Sequence, residues 1–528
     1  MLGVLLVAVL AGCITPAPAE FSSELFQQYV VRTGTAQHQT ILVGFFRGAA
    51  VADLAVINFD NNGKRQLRIY GFENGGWERV LDVPLRPGVL FADLANIDGR
   101  DRLITYERGR VNWFDPDSVT EQVLVEITTH YNATDESVIP HLDITRDLNH
   151  DGLDDLVVPD IDGFWIATQL NNGVFTEALQ LGPPEPFLDA PGLDDSGISD
   201  SRSYREVGIT KLTLPLYQSR VHAADYNQDG RSDLVFWNED HFDVYTQDGR
   251  GLFSPVAGTF TVDVPFDSEG VYSRMFDFSE DGALSLLFGL NEHTKKTVLH
   301  SLRDMNGDGV ADLVTLTLAG RSPLRQRSLY QVHFGAPTPN GILFARDAGT
   351  TIQPRGKAGA GQPWGYASRW FEDFDGDDQV DIMLLDVTIG FGGMFRALAA
   401  NSIGIDLEFY RMNGGIYPTK PNAARKIRSD ADIFHRTGPH FPTVLHGDVN
   451  GDKHADLLVS LNRRELLVYF GEPGAELFSQ HPQIVAVDIP ANEQNVRLVD
   501  FNKDGKQDIL LHYPSKTDAH RLTLLMAN

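Results

Sequence analysis

Only one cysteine, Cys13, occurs in the 528 residues, so no internal disulfide staples this chain. Basic residues are scarce: 44 Lys and Arg stand against 72 Asp and Glu, for a formal net charge of −28. Non-specific nucleic-acid binding uses Lys and Arg to displace counterions from phosphates, so that class is excluded, as is unassisted docking on an anionic membrane. Beyond residue 12 no apolar run approaches the ~20 residues of a membrane-spanning helix. Also missing are a P-loop, a GxSxG elbow, an HExxH pair and a GxGxxG turn after a strand. What remains is 42% hydrophobic and 22% charged, enough to bury a core. A chain of this length makes three or four ordinary domains or one large repeat architecture.

Residues 2–12 are apolar throughout and lead into Cys13. The run is too short to span a bilayer and suits the core of an export signal, although no Lys or Arg precedes it. Leu10-Ala11-Gly12-Cys13 resembles the bacterial lipobox, which implies cleavage after residue 12 and lipidation of Cys13. Residues 13–21 then form the lipidated N-terminus and tether, and 22–528 a single exported domain. Ile14 after the cysteine implies outer-membrane sorting; a periplasmic or secreted protein is the alternative.

Internal repetition is the dominant signal. One acidic phrase occurs six times: Asp147-Leu-Asn149-His-Asp151-Gly-Leu153-Asp-Asp155, Asp225-Tyr-Asn227-Gln-Asp229-Gly-Arg231-Ser-Asp233 and Asp304-Met-Asn306-Gly-Asp308-Gly-Val310-Ala-Asp312. Asp373-Phe-Asp375-Gly-Asp377-Asp-Gln379-Val-Asp381, Asp448-Val-Asn450-Gly-Asp452-Lys-His454-Ala-Asp456 and Asp500-Phe-Asn502-Lys-Asp504-Gly-Lys506-Gln-Asp508 complete the set. Side-chain oxygens at positions 1, 3, 5 and 9 can converge on one hard cation. The backbone carbonyls at position 7 (Leu153, Arg231, Val310, Gln379, His454, Lys506) and waters would fill a shell of about six to eight oxygens. That shell suits Ca²⁺ better than the smaller, more hydrated Mg²⁺, giving about six calcium sites. Position 6 needs a left-handed turn, so Asp378 and Lys453 must adopt there what glycine adopts freely.

An EF-hand would carry a bidentate Glu at position 12, where this chain has Val158, Phe236, Thr315, Leu384, Val459 and Leu511. Short apolar runs follow each loop instead, and these read as buried strands. About 20 residues on, Asn/Gly turns such as Asn171-Asn-Gly173 and Asp248-Gly249 join further strand pairs. The unit is a four-stranded β-propeller blade. These residues resemble the FG-GAP/VCBS repeats shared with the head of integrin α chains, across nearly the whole exported part. Two N-terminal units, around 43–56 and 91–99, fit the pattern without its ligands and are assigned no metal.

Units near residues 45, 93, 147, 225, 304, 373, 448 and 500 predict an all-β propeller of eight blades, with seven as the alternative. The last unit is one strand short, and Phe26-Gln-Gln-Tyr-Val-Val-Arg32 is expected to close it. A ninth candidate loop, 277–282, lies too near Asp304 for its own blade. Insertions are expected near 180–205, 345–366 and 386–440, the last with a short helix before Asp406. His435 and His440 near Asp430 and Asp432 are candidate ligands or bases. Arg411, Lys420, Arg425, Lys426 and Arg428 form a candidate anion-binding group, and Trp165, Trp237, Trp364 and Trp370 could stack on sugars. Since every strong motif is structural, the expected function is a calcium-stabilised, membrane-anchored binding or scaffold module for a protein or polysaccharide. No catalytic residue is assigned; the alternative is a lyase-like enzyme acting on polysaccharides.

Overall fold

The structure, a computed structural model, describes residues 25–528 except 37, 61, 132, 134–136, 183–219, 267, 270–293, 321–326, 354–370, 388–401, 431–441, 475, 491 and 516–517. The export signal, Cys13, the tether, the 277–282 loop, Asp432, His435, His440, Trp364 and Trp370 lie outside the described residues. So do most of the 180–205 and 345–366 stretches.

Eight antiparallel sheets follow one another along the chain, and each supplies one blade of a ring. Blade three shows the plan: Thr145–Arg146 innermost, then Asp155–Asp160, Gly163–Ala167 and Leu179–Leu181 outermost. The second strand is the core of each blade. In Asp155–Asp160 all six residues are buried, and Asp53–Phe59 and Asp456–Asn462 are similar. This is why these segments read as unbroken apolar runs: with neighbouring blades on both faces, neither side meets water. Between blades the cores are shared. Met305, Phe371, Phe409, Tyr469 and Phe478, from blades five, six and seven, belong to one buried cluster.

Blade five adds a parallel two-residue strand, Ser268–Glu269, and a small hairpin of Gly335–Thr338 with Gly341–Phe344. The region expected as a 386–440 insertion is divided differently. Ser402–Tyr410 and Ala423–Asp430 are the third and fourth strands of blade six, so its described part is blade and not excursion.

Blade eight is built from both ends of the chain. Val496–Val499, Asp508–His512 and Arg521–Ala527 are its first three strands, and Phe26–Arg32 lies antiparallel against Arg521–Ala527 as the fourth. Thr33 and Gly34 continue the contact by donating N–H bonds of 3.1 Å each to Ala519 O. Trp77 of blade one meets Phe501 of blade eight edge-on and donates to Ala52 O at 2.9 Å. Arg497 Nη2 donates to Ile41 O at 2.6 Å across the same seam.

Strand direction assigns the connections to two faces. The acidic loops (first to second strand) and the third-to-fourth connections share one face, the loop face. Second-to-third turns and the crossings to the next blade join strand ends on the other. The four longest connections belong to that second class: 126–144, 182–221, 261–293 and 353–370, all between blades.

The seam yields a paired expectation. Val31 is 4% exposed and Val30 45% exposed on the same strand. Val31→Asp buries a charge and should lower stability by about 3 kcal/mol or more. Val30→Asp should stay within about 0.5 kcal/mol, both measured by urea denaturation.

Candidate metal centres

In all six loops the position-9 carboxylate is fully buried: Asp155, Asp233, Asp312, Asp381, Asp456 and Asp508 are 0% exposed. Each holds two backbone N–H groups. Oδ2 accepts from position 2 of its own loop, as from Leu148 at 3.1 Å, Met305 at 2.9 Å and Phe501 at 2.8 Å. Oδ1 accepts from the residue leaving the third strand: Gln169, Gln247 and Gly335 at 2.8 Å, Met412 at 2.9 Å, Gly471 and Ala527 at 2.7 Å. One side chain thus fixes the entry of the loop and the end of the strand two places outward. Sequence spacing pointed to these residues as ligands but not as clamps.

The rest of each loop folds on itself. Position 1 accepts from the position-6 N–H, at 2.9 Å from Gly152 to Asp147 and 2.7 Å from Lys453 to Asp448. In five loops the position-3 Asn accepts from position 5, and in all six position 5 accepts from position 7, as Asn306 does from Asp308 at 3.1 Å and Asp308 from Val310 at 2.8 Å. In the Asp373 loop Asp377 N–H donates to Asp373 at 3.1 Å instead. Asp378 and Lys453 take the expected left-handed backbone, φ 64° and 70°. Position 4 is left-handed too, including non-glycine His150, Gln228 and Lys503 at φ 57–59°, which spacing alone did not reveal.

The electrostatics are those of crowded, partly dehydrated carboxylates. Burial pushes Asp155, Asp312 and Asp381 up to about 7 and Asp456 and Asp508 up to about 6. The backbone N–H bonds oppose that shift, and the neighbouring loop carboxylates add to it. In the Asp373 loop, carboxylate oxygens of Asp373, Asp375 and Asp377 lie within 4.8 Å of one another. An oxygen-only donor set under this repulsion is chemically suited to a hard divalent cation, which would restore the ionised carboxylates.

Arginines modify the pattern. In blade one, Arg47 sits where a loop's position 3 would be. Its guanidinium meets Asp53 at 2.9 Å and Glu73 at 3.1 Å, while its N–H donates to Asp53 at 3.1 Å. Gly71 makes room, since a Cβ there would fall 1.7 Å from the guanidinium. A fixed cation therefore holds the clamp where ligands are missing. In blade six, Arg411 pairs with Asp375 and Asp377, the loop carrying the extra carboxylate.

The proposed basic group disperses in the structure. Arg411 turns to the loop, Arg425 donates to Phe478 O at 2.8 Å and Lys426 meets Asp406 at 3.4 Å. Trp165 donates to Asp160 at 3.0 Å, and Trp237 packs on Phe242 and Phe266. Unforeseen were two histidines aimed by buried carboxylates: His130 on Asp160 and His141 on Asp93, both at 2.8 Å. Their partners are far away in sequence, so no local motif marks them.

Loops of adjacent blades touch directly. Ala52 N–H donates to Phe501 O at 2.7 Å, Val380 to Met305 O at 2.9 Å and Gln507 to Asp448 O at 2.6 Å, and Ser232 meets His150 at 2.9 Å. The Arg47 clamp gives a test. Arg47→Met leaves Asp53 buried and unpaired, so stability should drop by about 3 kcal/mol by urea denaturation. The loss should be equal with calcium and with chelator.

Residues 448–511, from the loop of blade seven to the second strand of blade eight, match the family model of the FG-GAP-like repeat. No curated protein matches the chain. Among solved structures, it is similar to an Agrocybe aegerita lectin recognising non-reducing terminal N-acetylglucosamine (13% identity, TM-score 0.37, 92% of this chain and 98% of that one). A second is the Vibrio cholerae biofilm matrix protein Bap1 (10% identity, TM-score 0.24, 97% and 90%). At such TM-scores neither likeness carries an argument. With eight four-stranded blades arranged in a ring and the repeat located at 448–511, the chain is a β-propeller that carries an FG-GAP-like repeat.

Proposed function

We propose that this protein is a calcium-stabilised, exported and lipid-anchored binding module. Its partner, a protein or a polysaccharide, docks on the face opposite the acidic loops. The observation that carries this is the placement of the four longest connections at strand ends of that face. Long connections on a rigid scaffold are where binding surfaces are built, while the loop side carries the clamps and blade-to-blade contacts. No helix among the described residues is long and apolar enough to cross a membrane; the lipobox-like Leu10-Ala11-Gly12-Cys13 supports attachment through Cys13.

Asp147, Asn149, Asp151 and Asp155, with the Leu153 carbonyl, would hold one ion, and the other five loops their own by the same positions. Ca²⁺ supplies the positive charge that offsets the loop carboxylates. The chain's own clamps then keep each loop joined to its blade. His130 and His141 favour a second reading. An exposed imidazole held by a buried carboxylate can take a proton, as a polysaccharide lyase requires.

Two outcomes are expected. Calcium at a hundredfold excess over its dissociation constant should stabilise by about 2.7 kcal/mol per independent site. Calorimetry should therefore show a large rise in melting temperature over the chelated protein; identical melting would end the calcium reading. A polysaccharide panel then tests the face. A polyethylene-glycol chain attached at Asp240→Cys should abolish binding, and one at Arg250→Cys, on a loop-side hairpin, should not. Blockage only from the Arg250 side overturns the assignment, and unsaturated sugar products would establish the lyase instead.

A further inference from the structure

The loop face has its own chemistry. Nine large aliphatic residues are exposed among the described residues, and six lie on third-to-fourth strand connections. They are Val119 in blade two, Leu170 and Val174 in blade three, Val256 in blade four, Leu343 in blade five and Ile416 in blade six. The most exposed are Val256 at 74%, Leu343 at 65% and Ile416 at 61%. The other three, Val30, Val123 and Leu179, lie within outermost strands. Five consecutive blades therefore raise aliphatic tips on one face. Val119 does so at φ 55°, a backbone conformation that costs a β-branched residue most.

The same face is where the described chain begins. Phe26 lies opposite Ala527, Asn528 N–H donates to Leu25 O at 3.0 Å, and Lys506 of the last loop meets Asn528 O. Leu25, where the described residues begin, therefore sits on the loop side, and the sequence before it carries the apolar run and Cys13.

We propose that the loop face is a calcium-dependent membrane-docking surface whose aliphatic tips enter the boundary between lipid headgroups and acyl chains. The tips are Val, Leu and Ile side chains on the face of the acidic loops, with no exposed aromatic anchor among the described residues. A protein interface favours a contiguous apolar centre with aromatic anchors. Isolated aliphatics among charged groups match a lipid interface, where apolar and polar surroundings meet within a few ångströms. Without cations the loop carboxylates repel anionic headgroups; with calcium that repulsion is lifted. The proposal rests on the calcium reading for this charge balance alone. A face held against lipid also leaves the opposite face, with its long connections, directed outward.

The test is tryptophan quenching in the full chain. Ile416→Trp and, separately, Asp240→Trp are placed in vesicles of phosphatidylethanolamine and phosphatidylglycerol carrying brominated acyl chains. With calcium, fluorescence added by the Ile416 variant should be quenched about twofold, and that added by the Asp240 variant should not. Chelator should abolish the difference. Leu343→Asp combined with Ile416→Asp should weaken vesicle binding at least tenfold without moving the melting temperature, because both positions are exposed. No quenching at position 416 while calcium still raises the melting temperature overturns the docking proposal and leaves the calcium reading standing. Equal quenching at both positions, or calcium-dependent association with protein and not with vesicles, also overturns it. Quenching at 416 that ignores chelator keeps lipid docking and removes calcium from it.

Discussion

A buried carboxylate between two backbone N–H groups recurs in six of the eight blades, and the geometry of the ring follows from it. One N–H belongs to the loop that enters the blade and the other to the strand that leaves it two positions outward, so Asp155 or Asp508 locks three strands with one side chain. Burying that charge is unfavourable unless it is well bonded or offset by an opposite charge. Blade one shows the constraint in another form. Asp53 is equally buried but is met by the Arg47 guanidinium, and Gly71 is left bare to admit it. A cation beside the clamp is thus built into the chain in blade one, and in blade six Arg411 stands against the loop carboxylates Asp375 and Asp377.

The two faces are consequences of this arrangement. Loops that end in a clamp must be short and must touch their neighbours, as Val380 touches Met305, so they cannot absorb insertions. Crossings between blades carry no clamp and can lengthen without disturbing the ring. The face that looks most charged in the sequence is therefore the more constrained one, and the opposite face carries the longest connections, whose residues follow no repeat.

That contrast also explains what could be read from the residues. Blade number, loop positions and the left-handed Asp378 and Lys453 were legible because each depends on residues a few places apart. Arg47 escaped notice because its partners Asp53 and Glu73 are recognisable only once the blade has folded. His141, on the crossing to blade three, meets Asp93 of blade two, 48 residues earlier. The Arg425-Lys426-Ile427-Arg428 run reads as a solvated basic face, yet it lies in the outermost strand of blade six, where Ile427 is buried and Arg425 reaches Phe478. Charge density in a sequence does not locate a patch when the strand turns alternate residues to opposite sides.

The position of Phe26–Arg32 at the rim of blade eight sets an order of events. Thr33 and His520, which hydrogen-bond at that seam, are 487 residues apart, so the first strand made waits for the last. Domains generally begin folding as the N-terminal part emerges, but here that strand has no sheet to join until Arg521–Ala527 exists. A chain cut short by even its final strand would leave two unpaired edges, open to aggregation and to proteases. Ring closure thus checks that both partners have been made, because only a chain carrying both Phe26–Arg32 and Arg521–Ala527 can pair these edges.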